Sequence, residues 1–137
     1  MNHEQQVANA VARFFRGVDE RDWRGLRARM THPFHVDYAS FGRGAPADVD
    51  PMVVLDGWAE FLPRFEHTHH QLGNMDIEVS GSEATVHCAV TGTHVAQEEV
   101  WTVVGAYDLR LERNDDQWKL ARLRFDYRYQ TGTPPVD

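Results

Sequence analysis

The sequence predicts an α+β domain in which three helices pack on one face of a curled antiparallel sheet. Three observations carry this. Apolar stripes with helical spacing occupy the front of the chain, period-two alternation takes over from Thr68, and that alternation changes phase twice.

Val7, Val11, Phe14, Phe15 and Val18 make one helical stripe, with Gly17 weakening its end. Asp19-Glu20-Arg21-Asp22 then offers an N-cap and first-turn acids to a second, shorter helix. Trp23, Leu26 and Met30 form its buried face and Pro33 its stop. Phe34 to Ser40 alternates and reads as a strand with Phe34, Val36 and Tyr38 on the apolar side. Residues 42–48 are a small, Gly/Pro/Ala-rich loop. Asp50-Pro51 starts a third helix, a capping carboxylate followed by proline at the first helical position. Its stripe is Val54, Trp58, Phe61, Leu62 and Phe65, and Pro63 marks its end.

Four strand runs follow, at about residues 68–79, 83–95, 99–113 and 117–129, and the short turns between them imply antiparallel pairing. In the first run Thr68, His70 and Leu72 share a face, whereas the apolar set after Gly73 is Met75, Ile77 and Val79, in the opposite phase. One extra residue at Gly73-Asn74 repairs the phase, which is what a β-bulge does. The last run switches likewise, from Trp118 and Leu120 to Ala121, Leu123, Phe125 and Tyr127. Strands bent in this way wrap around helices and leave a concave cavity between the layers.

At 137 residues the chain is read as a single domain, with residues 1–5 and 131–137 as loose ends. Lys and Arg total 14 against 21 Asp and Glu, a net charge of −7 that disfavours nucleic acid and anionic membranes as partners. Cys88 stands alone, so an internal disulfide is excluded. The polar start, with no apolar run behind it, predicts no signal peptide and a cytoplasmic protein, and no stretch is long enough to span a bilayer. Eight histidines and 11% aromatic residues are the unusual features.

Polar residues on apolar faces are the functional candidates. Ala84, Val86, Cys88, Val90, Gly92 and His94 form an inner row that ends on an imidazole. Alternation groups His70 with Leu72 on the inner side and leaves His67 and His69 on a solvated face. No carboxylate or thiolate is spaced to complete a zinc site from this cluster, so no metal is expected. Tyr38 ends an inner row with a hydroxyl that needs a partner. Asp19 is free to point elsewhere if Asp22 caps the second helix. Converging on one cavity, these four groups make a proton-transfer site.

The stretches Arg21-Asp22-Trp23-Arg24-Gly25-Leu26-Arg27, Val36-Asp37-Tyr38-Ala39-Ser40-Phe41, Thr68-His69-His70-Gln71-Leu72-Gly73-Asn74 and Trp118-Lys119-Leu120-Ala121 carry a resemblance. Over about Glu4 to Tyr129 the chain resembles the scytalone dehydratase branch of the SnoaL-like family, within the ketosteroid isomerase and nuclear transport factor two-like superfamily. The resemblance implies a cone-shaped sheet with the three helices on its concave face. It puts Asp19 on the family's orienting aspartate and His70 on its catalytic histidine. His94 falls on the second active-site histidine, and Tyr38 on one of two tyrosines that hold a water against the substrate carbonyl. Val18 replaces the other tyrosine, Gly105 and Tyr107 stand where the dehydratase has Ser and Asn, and its C-terminal covering segment has no counterpart. Scytalone is therefore not the expected substrate.

The expected activity is that of a cofactor-independent dehydratase or isomerase acting on a small cyclic, carbonyl-bearing hydrophobic compound. His70 abstracts a proton, Asp19 orients it, Tyr38 stabilises the enolate oxygen, and His94 protonates a departing hydroxyl. Trp58, Phe61, Trp101, Tyr107 and Phe125 supply aromatic walls, with Asn74 as a further substrate contact. The alternatives are a polyketide cyclase-type enzyme and a non-catalytic protein that binds a hydrophobic ligand. An outer row of Val100, Thr102, Val104 and Ala106 is the expected face of a homo-oligomer.

Overall fold

The computed structural model describes residues 1–135. Its elements in chain order are α1 (His3–Glu20), α2 (Trp23–Ala28), β1 (Met30–Asp37), β2 (Ala47–Val49), α3 (Pro51–Phe61), β3 (His67–Leu72), β4 (Asp76–Ser80), β5 (Glu83–Ala96), β6 (Glu99–Asn114) and β7 (Gln117–Gly132). Short 3-10 turns follow β1 at Ala39–Phe41 and α3 at Leu62–Arg64. The strands form one open sheet of order β2-β1-β7-β6-β5-β3, with β4 also on β5. All pairs are antiparallel except β1–β7, which is parallel. The expected α+β class holds, with this one parallel pair added.

The α1 stripe is buried as its spacing requires: Val7, Val11, Phe14, Phe15 and Val18 all lie in the core. The helix begins at His3 behind a capping box formed by Asn2 and Gln5, so residues 3–5 are helical and not a loose end. Nor does Gly17 terminate it. A Cβ there would stand 3.1 Å from Leu26 Cδ2, so the glycine lets α2 approach closely at a helix-propensity cost of about 1 kcal/mol. Asp22 caps α2, bonding Gly25 N–H at 3.1 Å, which leaves Asp19 free of capping duty.

Met30 is buried in β1 and does not extend α2, and Pro33 lies inside that strand. Leu26 and Met30 sit four apart, so a helical stripe and a helix followed by a strand predict the same burial. α3 starts on Asp50 and Pro51 as expected, but its buried residues are Pro51, Val54 and Leu55. Trp58 and Phe61 are half-buried because their faces open onto a cavity.

Both phase changes are one-residue surpluses. Leu72 faces Val90 and Asp76 faces His87, so residues 73–75 span the length of 88–89, three against two. The surplus divides the expected single strand into β3 and β4, and Gly73 N–H holds the bend to Ala89 C=O at 2.8 Å. In β7, Arg122 faces Arg110 but Leu120 faces Leu111, which makes Ala121 the extra residue. A second surplus at Arg128 follows, between the Tyr127–Gly105 and Tyr129–Val104 pairs. There a Cβ on Gly105 would lie 2.3 Å from Asp126 C=O and 2.7 Å from the Phe125 ring. Glycine at 105 thus lets Phe125 lie flat against the sheet. Thr131 and Gly132 pair with Thr102 and Trp101, so this part of the expected loose tail is strand; residues 136 and 137 lie outside the description.

Candidate active site

The bent sheet and the helices enclose a cavity of about 420 Å³, within the range of small-molecule sites. Phe15 and Val18 of α1, Trp58 and Phe61 of α3, and Trp101, Val103, Tyr107 and Phe125 of the sheet make its apolar wall. His70, His94 and Tyr38 bring the polar groups into it.

Asp19 follows Phe15 by four residues, so it leaves α1 on the same face, toward β3. Its Oδ1 lies 2.6 Å from His70 Nδ1, and its Oδ2 accepts the His70 backbone N–H at 2.9 Å. The side chains are only 14% and 16% exposed, so water competes weakly for this contact. A carboxylate accepts, so in the neutral ring the proton sits on Nδ1 and Nε2 keeps its lone pair. His70 stands opposite Gly92 in the β3–β5 register. A Cβ on Gly92 would fall 3.9 Å from His70 Nε2 and 3.5 Å from His94 Cε1. The glycine therefore keeps the floor between the two imidazoles open. Their ring centres are 6.5 Å apart.

His94 ends the predicted inner row and is buried against Trp101 and Phe65, with ring centres at 4.5 and 5.0 Å. Burial pulls its pKa down to about 4, with the hydrogen bond it donates to the Trp101 backbone carbonyl opposing and the neighbouring His70 adding to the drop. Its Nδ1 lies 3.1 Å from Trp101 C=O, so the proton of the neutral ring is on Nδ1. At neutral pH, Nε2 thus offers a lone pair, not a proton. An accepting Nε2 suits a hydrogen bond from a ligand hydroxyl better than proton donation to it, the role expected from the sequence.

Tyr38 follows the end of β1, and Ser40 fixes the turn behind it by donating to Phe125 C=O and accepting from Tyr127 N–H, both at 2.8 Å. The hydroxyls of Tyr38 and Tyr107 lie close enough to act on each other. Burial, above all, raises both phenols well above their ordinary range, so both stay protonated. Each protonated phenol carries one O–H that can be donated.

Trp58, Phe61, Trp101, Tyr107 and Phe125 all line the cavity, as expected. Asn74 does not. It is exposed in the bend between β3 and β4, where the extra residue turns it away from the interior. Phe15, Phe41 and Arg43 were not anticipated there. Phe15 belonged to a stripe indistinguishable from core, and Phe41 and Arg43 lay in a segment without periodicity. His69 is 72% exposed, at 3.8 Å from Asp19 Oδ2. Cys88 is buried in the inner row, and burial pushes its thiol up to about 11, which keeps it a protonated packing group. Among the described residues no group of three or more His, Cys, Asp or Glu is placed to hold a metal ion. No helix among them is long and apolar enough to cross a membrane.

Solved structures show the same fold. Kfla4162 from Kribbella flavida is similar at 24% identity and a TM-score of 0.87, over 93% of this chain and 92% of that one. A protein described as a candidate scytalone dehydratase from Novosphingobium aromaticivorans is 22% identical, with a TM-score of 0.81 over 97% of this chain and 89% of its own. Hexachlorocyclohexane dehydrochlorinase LinA-type3 from Novosphingobium barchaimii is 19% identical, with a TM-score of 0.79 over 97% and 91%. Among curated protein sequences none is significantly similar to this chain. The model of the SnoaL-like domain matches residues 1–124, nearly the whole length, and the chain belongs to that family.

Proposed function

We propose that this SnoaL-like domain is a lyase or isomerase that moves a proton on a small cyclic, carbonyl-bearing hydrophobic compound, using only its own side chains. The observation that carries the reading is the 2.6 Å contact between His70 Nδ1 and Asp19, beside an apolar cavity that His70 lines. His70 Nε2 takes a proton from the carbon next to the carbonyl, and Asp19 holds the ring in the basic tautomer and stabilises the imidazolium. The negative charge moves to the carbonyl oxygen, where Tyr38 donates a hydrogen bond, directly or through a water.

The proton now on His70 has two destinations. Delivered to a hydroxyl on the β-carbon as its C–O bond breaks, it yields water and an enone. In a β,γ-unsaturated substrate, delivery to the γ-carbon as the double bond shifts into conjugation yields an isomer. His94 orients such a hydroxyl by accepting its hydrogen at Nε2. Two of the similar structures are named for eliminating enzymes, a dehydratase and a dehydrochlorinase, which favours the first outcome. The test is conversion of a set of cyclic β-hydroxyketones, followed as enone absorbance. Thermal stabilisation by these compounds without conversion of any would make the protein a ligand carrier instead.

The outer face of β6 is the proposed contact between copies. Val100 and the nearby Tyr129 are exposed there, whereas Ala106 is buried and contributes nothing to such a face. Val104→Glu is expected to sediment as a smaller species than the unaltered chain. Equal sedimentation would remove this face from consideration.

A further inference from the structure

The cavity interior carries no fixed charge, but its mouth does. Arg43 is the one lining residue with a permanent charge among the described residues. Its position is built. Gly42, at φ 72°, reverses the chain so that Arg43 N–H reaches Tyr38 C=O at 3.2 Å. The guanidinium then lies over the Phe41 ring, 5.2 Å from its centre. Phe41 is itself wedged among Trp101, Phe125 and Tyr127, with ring centres at 6.3, 5.9 and 4.9 Å. The cation therefore rests by one face on a packed aromatic platform, and among the described residues no side chain or backbone group bonds its N–H edges.

No carboxylate pairs with Arg43 among the described residues, although the chain holds 21 Asp and Glu against 14 Lys and Arg. In so acidic a chain an arginine at the rim of an apolar cavity, unpaired among the described residues, places a positive charge where a ligand enters. The same short loop carries the Tyr38 hydroxyl, so a hydrogen-bond donor inside and a cation at the mouth belong to one segment, which Ser40 ties to β7.

We propose that the cavity takes an amphipathic ligand, with an apolar ring body inside and an anionic group, such as a carboxylate or sulfonate, at the mouth against Arg43. This rests on the reading of the cavity as a small-molecule site and narrows it. Guanidinium N–H groups bond such anions in pairs, and the aromatic platform lowers the entropy lost when they do so.

Two fluorescent probes separate the possibilities: 8-anilinonaphthalene-1-sulfonate, and N-phenyl-1-naphthylamine, which has the same rings without the sulfonate. Each is titrated into the full chain and into Arg43→Gln, and the two are competed against each other. The expected result is that Arg43→Gln weakens the sulfonate about tenfold while the neutral amine changes by less than about twofold. Added salt should weaken only the sulfonate. Unchanged sulfonate affinity overturns the inference, as does equal weakening of both probes, which would mean that Arg43 only shapes the rim. A sulfonate that the amine cannot displace lies elsewhere and overturns it too. Failure of the neutral amine to bind the unaltered chain would instead refute the cavity as a small-molecule site, and this inference with it.

Discussion

His70→Asn is expected to lower turnover by about 10²- to 10⁴-fold, the range that a positioned general base contributes. The substitution keeps a polar side chain near Asp19 and leaves the backbone bond from His70 N–H to Asp19 Oδ2 in place, so the fold should persist. What disappears is the one basic nitrogen that Asp19 holds in the required tautomer. Asp19→Asn should act on the same step through the ring. A neutral amide can present its N–H₂ to Nδ1, which moves the imidazole proton to Nε2 and leaves no base facing the cavity. kcat should therefore fall while KM stays close to its original value, because Asp19 does not line the cavity. Circular dichroism and thermal melts of both variants check that the loss is chemical.

The second large effect concerns stability against pH and comes from His94. Its folded pKa, about 4, lies below the ordinary 6.5. Between these values the unfolded chain binds a proton that the folded chain refuses, so stability falls as pH drops through this window. The full difference is about 3 kcal/mol, a large share of the stability of a domain this size. The residue is only 8% exposed, so solvent screens little of it. Urea unfolding of the unaltered chain and of His94→Gln, measured from pH 7 to pH 4, should give a shallower decline for the variant. Parallel declines would mean that His94 is not the group responsible.

Much of this arrangement was legible in the sequence because one-dimensional periods map directly onto faces. The alternating row from Ala84 to His94 lies inside as its parity requires, and the phase changes at Gly73-Asn74 and Ala121 are true surpluses in the register. Parity likewise put His70 inside and His69 outside. The features that escaped depend on contacts between distant segments. The parallel β1–β7 pair joins residues about ninety apart, and nothing local in β1 announces it. Strand β2 is three residues long, too short to show a period. Asn74 follows the residues of β3 in sequence, but the bend that carries the surplus turns it outward. Phe41 and Arg43 reach the cavity only because Ser40 anchors their turn to β7, across 85 residues of sequence. The depth of His94's burial is likewise tertiary: parity places the ring inside, but Trp101 and Phe65, distant in sequence or on another strand, close over it.

The central claim is that His70 removes a proton next to a carbonyl inside this cavity, and it can be tested before any natural substrate is known. The measurement is deuterium incorporation at the α-carbons of 2-tetralone in D₂O, followed by proton NMR with the unaltered chain and with His70→Asn. The account predicts that the unaltered chain accelerates exchange over buffer and that His70→Asn does not. Equal exchange in the two proteins, both folded, would contradict it.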